Sequence, residues 1–397
     1  MATNAKNLAE LLNTDSTVAV GDIADGSVTT AKLADDAVTS AKSVNLGRRN
    51  LIINGDMRIA QRATSATGIG TANGVYPTVD RMIIEVGNTA GRLTMTQESI
   101  TDLPGFTKAV KLACTTADTS IAANEFLMLG TRFEGQNLQH LKKGTSSAEK
   151  VTVSFYVKGN ANATYTCELR DQDNTRFNNI EFSVTSSWTR VSLTFDGDTT
   201  GALDNDNNLS LKCNLFLHGG STYSGGSHTN NVWHTTHNQR LSDNQTSFFD
   251  STSRTLFVTG WQLEVGDTAT DFEHRSVGEE LDLCQRYFEN IKVTGYFVTG
   301  NSYSTAQFNA APMFFKTKKR STPTITFPTI GTTNGTIGAV NATANYVTNG
   351  SVLRSYSTED WFQMYNNSSD GYSGFTDDGV MQIYSYGYNT ITAESEI

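Results

Sequence analysis

The chain is short of most residues and patterns that announce chemistry. Its four cysteines, Cys114, Cys167, Cys213 and Cys284, lie far apart and form no Cys-x-x-Cys pair. Their spacing offers neither a zinc site nor a redox centre, and they read as buried free thiols. Basic residues are also in deficit: 30 against 40 acidic ones, a formal charge of -10. Such a surface repels a phosphate backbone, which excludes nucleic acid as the expected partner. No stretch approaches the ~20 consecutive apolar residues of a membrane span. The opening MATNAKNLAELLN has no basic segment followed by an apolar one. The expectation is therefore a soluble chain that is not exported by a signal peptide and does not insert into membranes.

Catalytic signatures are missing too. There is no Gly-x-Ser-x-Gly, no His-Glu-x-x-His and no cysteine near a plausible histidine partner. Glycoside hydrolysis needs only two carboxylates at a set distance, which Asp171/Asp173 or Glu125/Glu134 could supply. Among 40 acidic residues such pairs arise by chance, so the chain reads as a non-enzyme. His228, His234 and His237 fall within ten residues, but their Gly/Ser/Thr/Asn surroundings describe a polar loop rather than the rigid frame zinc requires. Asp204, Asp206 and Asn208 begin like a calcium loop, yet Leu209 and Leu215 stand where an EF-hand needs glycine and glutamate. No metal or cofactor is expected, with an isolated structural calcium in the sandwich as the alternative.

What the sequence does hold is glycine, 33 residues against 5 prolines, a 10% aromatic content and runs rich in Thr, Ser and Asn. That is the composition of a β-rich protein with many turns. Residues 151–158, VTVSFYVK, put Val151, Val153, Phe155 and Val157 on one face. Residues 165–169, 188–195 and 209–217 alternate in the same way. Strands of period two separated by Gly/Asn/Asp turns predict sheets with one buried face, hence a β-sandwich over residues 46–275.

The N-terminal region follows another rule. ADGSVTTAKL and ADDAVTSAKS, residues 24–43, are two copies of one phrase, and Ile23, Val28, Leu33 and Val38 recur every fifth position. A step of five scatters side chains around a helix and flips them across a strand, so a single chain cannot bury this spacing in a regular element. Copies of the chain wound about one axis can, which predicts a homotrimeric stalk over residues 21–45. A flexible linker is the alternative. In residues 1–20, Leu8, Leu11 and Leu12 share a helical face and suggest a plug for a partner protein, with a frayed terminus as the alternative.

Three phrases, NLIINGDMRIAQR (residues 50–62), YPTVDRM (76–82) and WQLEVGDTATDFEHRSVGEELDLCQRYFE (261–289), resemble a family of tail-fibre proteins of bacterial viruses, marine ones especially. The 24–43 repeat is common in the amino-terminal stalks of such fibres. That family often has Trp after Asp-Arg, where this chain has Met82. The resemblance implies a virion structural protein of the tail, assembled in the bacterial host cytoplasm. It would dock on a tail or adaptor protein by its N-terminus and recognise the host surface distally. The opening and closing phrases of the body also loosely resemble the ends of jelly-roll carbohydrate-binding modules. The alternatives are a tail spike with polysaccharide-depolymerase activity and a head or collar decoration fibre.

One helix is expected over residues 276–291. Ser276 and Glu279 form a capping-box pattern, and Val277, Leu281, Cys284, Phe288 and Ile291 step by four, three, four and three. That stripe either joins the stalk axis as a trimerisation seam or packs on its own sandwich. Residues 292–397 read as a second β domain. Its basic turn, with Lys316, Lys318, Lys319 and Arg320, is expected to be solvated. Trp361, Tyr365, Asn366, Asn367, Tyr372 and Phe375, with Tyr384, Tyr386 and Tyr388 at every second position, form the candidate receptor-binding surface. Aromatic rings with adaptable Asn partners suit the apolar faces and hydroxyl edges of a glycan. The same aromatics could instead fill a core or a subunit seam.

Overall fold

The protein is seen in a computed structural model that describes residues 48–397 apart from 243, 332, 342–345, 348–351 and 376–378. The stalk positions Ile23, Val28, Leu33 and Val38 and the attachment positions Leu8, Leu11 and Leu12 lie outside the described residues. Residues 49–397 form one unit.

Eleven strands build two packed antiparallel sheets. They are β1 (Ser65–Ile69), β2 (Ile83–Gly87), β3 (Arg92–Ser99), β4 (Lys108–Thr116), β5 (Phe126–Glu134), β6 (Val151–Gly159), β7 (Ala163–Asp171), β8 (Arg176–Val184), β9 (Thr189–Phe195), β10 (Leu209–Gly219) and β11 (Thr255–Val265). One sheet runs β1-β3-β4-β11-β6-β9 and the other β2-β5-β10-β7-β8. The alternating residues behave as their period demands. Val151, Val153, Phe155 and Val157 of β6 and Leu211, Cys213, Leu215 and Leu217 of β10 enter one buried core with Trp261. The architecture is mainly β, a sandwich of jelly-roll type. All four cysteines are buried and unbridged.

After β11 a helix, α1 (Val277–Gln285), leads into β12 (Phe288–Ser304). The remaining strands are β13 (Gln307–Ala310), β14 (Met313–Phe314), β15 (Thr324–Thr326), β16 (Ile337–Asn341), β17 (Tyr346–Val347), β18 (Arg354–Ser357), β19 (Trp361–Tyr365) and β20 (Val380–Glu394). They make a sheet in the order β14-β19-β13-β12-β20-β16-β17, with β15 on β20 and β18 on β19. A second core, including Phe308, Phe362, Met364, Tyr372, Phe375, Met381 and Ile391, lies under it.

The expected helical stripe is corrected here. Ser276 caps α1 as its sequence implies, its Oγ accepting the Glu279 amide at 3.2 Å. The helix ends at Gln285, however, so Phe288 and Ile291 belong to β12, and Val277 is 54% exposed while Cys284 is buried. Tertiary anchoring stops the helix. Glu134 receives both Arg286 Nε and Nη2 at 2.7 Å and the Tyr287 hydroxyl at 2.6 Å. The chain then pairs as a strand, Glu289 opposite Ala393.

These anchors belong to a polar junction where the three recognised phrases meet. Asn54 donates to the carbonyls of Ile59 and Asp80 at 2.8 and 2.9 Å and its own amide reaches Glu280. Gln61 bridges Asp80 to the Phe288 carbonyl at 2.7 Å. Arg81 is fully buried, stacked 3.5 Å over Tyr287 and paired with Glu396. Burial, with the Glu396 charge second, pushes the neighbouring Tyr76 phenol up to about 12. Met82 is wholly inside the core. Gly55 fits because a Cβ there would lie 2.1 Å from the Trp261 carbonyl oxygen.

The basic turn is solvated at Lys316 and Lys318, as expected, but Lys319 and Arg320 are built in. Lys319 is buried, its Nζ bonded to the Gln285 carbonyl and to Glu289. Arg320 donates to the carbonyls of Ser395, Asn207 and Glu396 at 2.8, 3.0 and 3.1 Å. Lys318 alone of the two flanking cations has a described ion pair, an exposed one with Glu359 at 3.0 Å.

Candidate functional site

The candidate receptor residues divide among three environments. Asn366, Tyr372 and Phe375 are buried, which corrects their placement on a binding surface. Asn366 accepts the Phe308 amide at 2.8 Å and donates to the Ala306 carbonyl at 2.7 Å, so it closes a turn. Tyr372 and Phe375 pack edge-on against Phe308 at 5.6 and 5.3 Å. Asn367 is exposed and caps the short turn Ser368–Asp370. Trp361 and Tyr365 are half-buried on the outer side of β19, Trp361 leaning on Tyr356 at 5.7 Å with the 75%-exposed Phe314 paired opposite it.

The third environment is the outer face of β12, β20 and β16. Odd-numbered Met381, Ile383 and Ile391 of β20 turn inward, so Tyr384 and Tyr386 turn outward. Their rings stand 4.5 Å apart at 71°. Tyr296, 52% exposed on β12, sits directly opposite Tyr384 in the register, ring to ring at 4.8 Å. On the other flank of Tyr384 the paired residue is Gly338, whose missing Cβ would stand 3.5 Å from the Tyr386 ring. Tyr388 is 91% exposed.

Tyr388 does not continue the ladder in simple alternation. The register jumps from Gly295 opposite Ser385 to Val293 opposite Asn389, so β20 carries two extra residues there. Gly387 makes this bulge possible with φ +82°. Asn389 pins it by donating to Ser385 Oγ at 2.9 Å and to the Thr336 carbonyl at 3.0 Å. The result is a platform of three contacting phenols with a fourth projecting beside it. Tyr296, Tyr384 and Tyr388 can present apolar faces and hydroxyl edges to a ligand, whereas the Tyr386 hydroxyl is buried and only its ring joins the platform. Tyr296 was not among the sequence candidates. Period-two alternation marks it as outward-facing, but only the β12–β20 register puts it beside Tyr384.

The carboxylates weighed for hydrolysis are all engaged. Glu134 holds Arg286 and Tyr287 as above. Glu125 bonds His218 Nε2 at 3.1 Å and the Ala122 amide at 2.9 Å. Asp171 bonds Lys143 Nζ at 2.5 Å and Asn174, and Asp173 accepts the Asp204 amide at 2.9 Å.

The histidine-bearing loop is not free. Residues 231–240 lie over the outer face of the five-stranded sheet, where His234 pairs with Phe177 and Arg240 reaches Glu168. His234 and His237 pack on the Phe177 ring at 5.8 and 4.9 Å, and burial depresses both imidazoles. His228 bonds the Gln239 carbonyl at 3.2 Å. From the same loop, buried Arg240 grips Glu168 through Nε and Nη2 at 2.6 and 2.8 Å.

No family model matches this chain, and no curated protein matches it. Among solved structures it is similar to a putative sugar-binding protein from Bacteroides thetaiotaomicron, with 12% identity over 55% of this chain and 100% of the other and a TM-score of 0.29. A family 11 carbohydrate-binding module from a cellulosomal cellulase of Clostridium thermocellum gives 12% identity, 51% and 97% coverage and a TM-score of 0.26. The structure of TmCBM61 in complex with β-1,4-galactotriose gives 8% identity, 55% and 99% coverage and a TM-score of 0.27.

Proposed function

We propose that this chain is a structural fibre or spike protein of a bacterial-virus tail that recognises a host-surface glycan. In this reading it is a homotrimer, attached to the tail by residues 1–20 and extended by the repeat of residues 21–45. The distal sheet meets the host. The observation that carries the glycan reading is the outward platform of Tyr296, Tyr384 and Tyr386 with exposed Tyr388. A pyranose ring laid on it exchanges apolar contact with the phenol faces while its hydroxyls keep water or bond the phenol oxygens. Weak single contacts suffice when three copies act together, because the second and third bindings occur at high effective concentration. Recognition rather than turnover is the proposed mechanism.

The test is binding of the purified full-length protein to an array of bacterial surface polysaccharides, alongside Tyr384→Ala and Tyr386→Ala. The reading expects retention of wild type on a subset of glycans and loss of that retention in both variants. Wild type that binds no glycan, or variants that bind as well as wild type, would refute it.

A further inference from the structure

The outer face of the five-stranded sheet carries a row of like charges. Arg132 of β5 stands opposite Lys212 of β10, which stands opposite Arg170 of β7. Three cations thus occupy one row across three neighbouring strands, an arrangement that repels. Arg240 from the overlying loop adds a fourth, its guanidinium 4.5 Å from the Phe177 ring that Arg170 also approaches at 5.6 Å.

Glu85 and Glu168 on this face favour the Arg170 charge at a distance, but neither bonds it directly. Glu85 takes Lys212 at 2.7 Å and pairs with Arg132. Glu168 takes the Arg240 fork and also accepts the amides of Asn214 and Asn179, both at 3.1 Å, so each of its oxygens has two donors. Arg170 makes no hydrogen bond or ion pair among the described residues, and its Nε is buried without a partner. Burial first, and the Arg240 charge second, depress the Arg170 guanidinium. A half-buried guanidinium surrounded by like charge and lacking an acceptor is costly unless an anion completes it.

We propose that this face takes the carboxylate of an acidic saccharide, with Arg170 as its anchor. The planar guanidinium fork matches a carboxylate in bidentate fashion. The inference rests on the reading that the ligand is a glycan, but it uses a surface separate from the tyrosine platform.

The experiment titrates trigalacturonate, galactose 6-sulfate and galactotriose calorimetrically at constant ionic strength into the full chain and its Arg170→Gln, Arg170→Lys and Tyr384→Ala variants. Melting curves check that each variant is folded. Wild type should bind trigalacturonate. Arg170→Gln should weaken that binding by about tenfold or more, Arg170→Lys by less, and Tyr384→Ala not at all. Equal affinity in wild type and Arg170→Gln, or no binding of trigalacturonate by wild type, overturns the assignment. Binding of galactose 6-sulfate lost in Arg170→Gln, with trigalacturonate ignored, overturns the carboxylate as the anion class. Galactotriose bound through Tyr384 while trigalacturonate is ignored removes this site and leaves the glycan reading standing.

Discussion

Tyr296 and Tyr384 face each other across one register position of β12 and β20, with ring centroids 4.8 Å apart at 65°. Each ring covers part of the other, and the Tyr386 ring covers a further part of Tyr384. Tyr296→Ala should therefore act on ligand binding in the same direction as Tyr384→Ala, although it lies nearly ninety residues away in sequence. Because the site is an outer sheet face, each change should alter folding stability by no more than about 1 kcal/mol. Glycan-array binding and chemical denaturation, run on the same samples, separate the two effects. A large stability loss in either variant would mark the pair as packing instead.

The platform also shows what could be read in advance. Alternation placed Val151, Val153, Phe155 and Val157 inside and Tyr384 and Tyr386 on one face, because a strand's period is a local property. Partnership across strands is not local. Tyr296 joins Tyr384 only through a register set by the bulge at Gly387, and a glycine in a strand does not state what lies opposite it. The stripe from Val277 to Ile291 misled for a related reason. Its spacing fits a helix, but Glu134, far back on β5, holds Arg286 and Tyr287 and turns the chain into a strand. Asn366, Tyr372 and Phe375 have the composition of a binding loop and serve as a core and its closing turn.

The recognised phrases are structural in this fold. Gly55 sits where the backbone of β11 passes, with its carbonyl accepting the Trp261 amide at 2.9 Å. A Cβ would strike the Trp261 carbonyl oxygen, which backbone on both sides prevents from moving. Gly55→Ala should cost roughly 3 kcal/mol or more, at the upper end of single substitutions. Gly278→Ala on exposed α1, where a Cβ meets nothing within 4 Å, serves as the control and should be neutral or slightly stabilising. Denaturant midpoints of the two variants check the contrast.

Glu168 supplies a pH prediction. Burial alone would raise its carboxyl, but the Arg240 guanidinium and its hydrogen bonds outweigh burial and bring it from 4.5 down to about 2. A carboxylate depressed in the folded state adds stability that is complete above its unfolded value and is lost as pH falls through the folded one. The Arg240–Glu168 contribution should thus hold at neutral pH and fade between about pH 4.5 and 2. Glu168→Gln should be less stable at pH 7, since it leaves Arg240 buried without a counter-charge, and should show a flatter slope across that interval. Denaturation midpoints measured from pH 7 downward in both proteins test this; parallel curves would remove Glu168 as the source.

Lys143 offers the last prediction. Its ammonium is encircled by oxygen: Asp171 Oδ2 at 2.5 Å, Asp198 Oδ2 at 3.0 Å, and the carbonyls of Thr200 and Gly201 at 3.0 and 2.8 Å. The Trp233 ring lies 5.2 Å away, and both carboxylates are buried. Two carboxylates and two carbonyls converging on one point are the donors a hard divalent cation uses, and here a lysine supplies the positive charge instead. Lys143→Ala should remove that charge and leave Asp171 uncompensated, a loss of roughly 3–5 kcal/mol. The vacated space would then suit calcium, so millimolar calcium should raise the melting temperature of Lys143→Ala while leaving wild type unchanged. Magnesium, which demands tighter octahedral geometry, should be less effective. A variant equally unstable with and without calcium would show that the carboxylates depend on the lysine stem for their positions as well as on its charge.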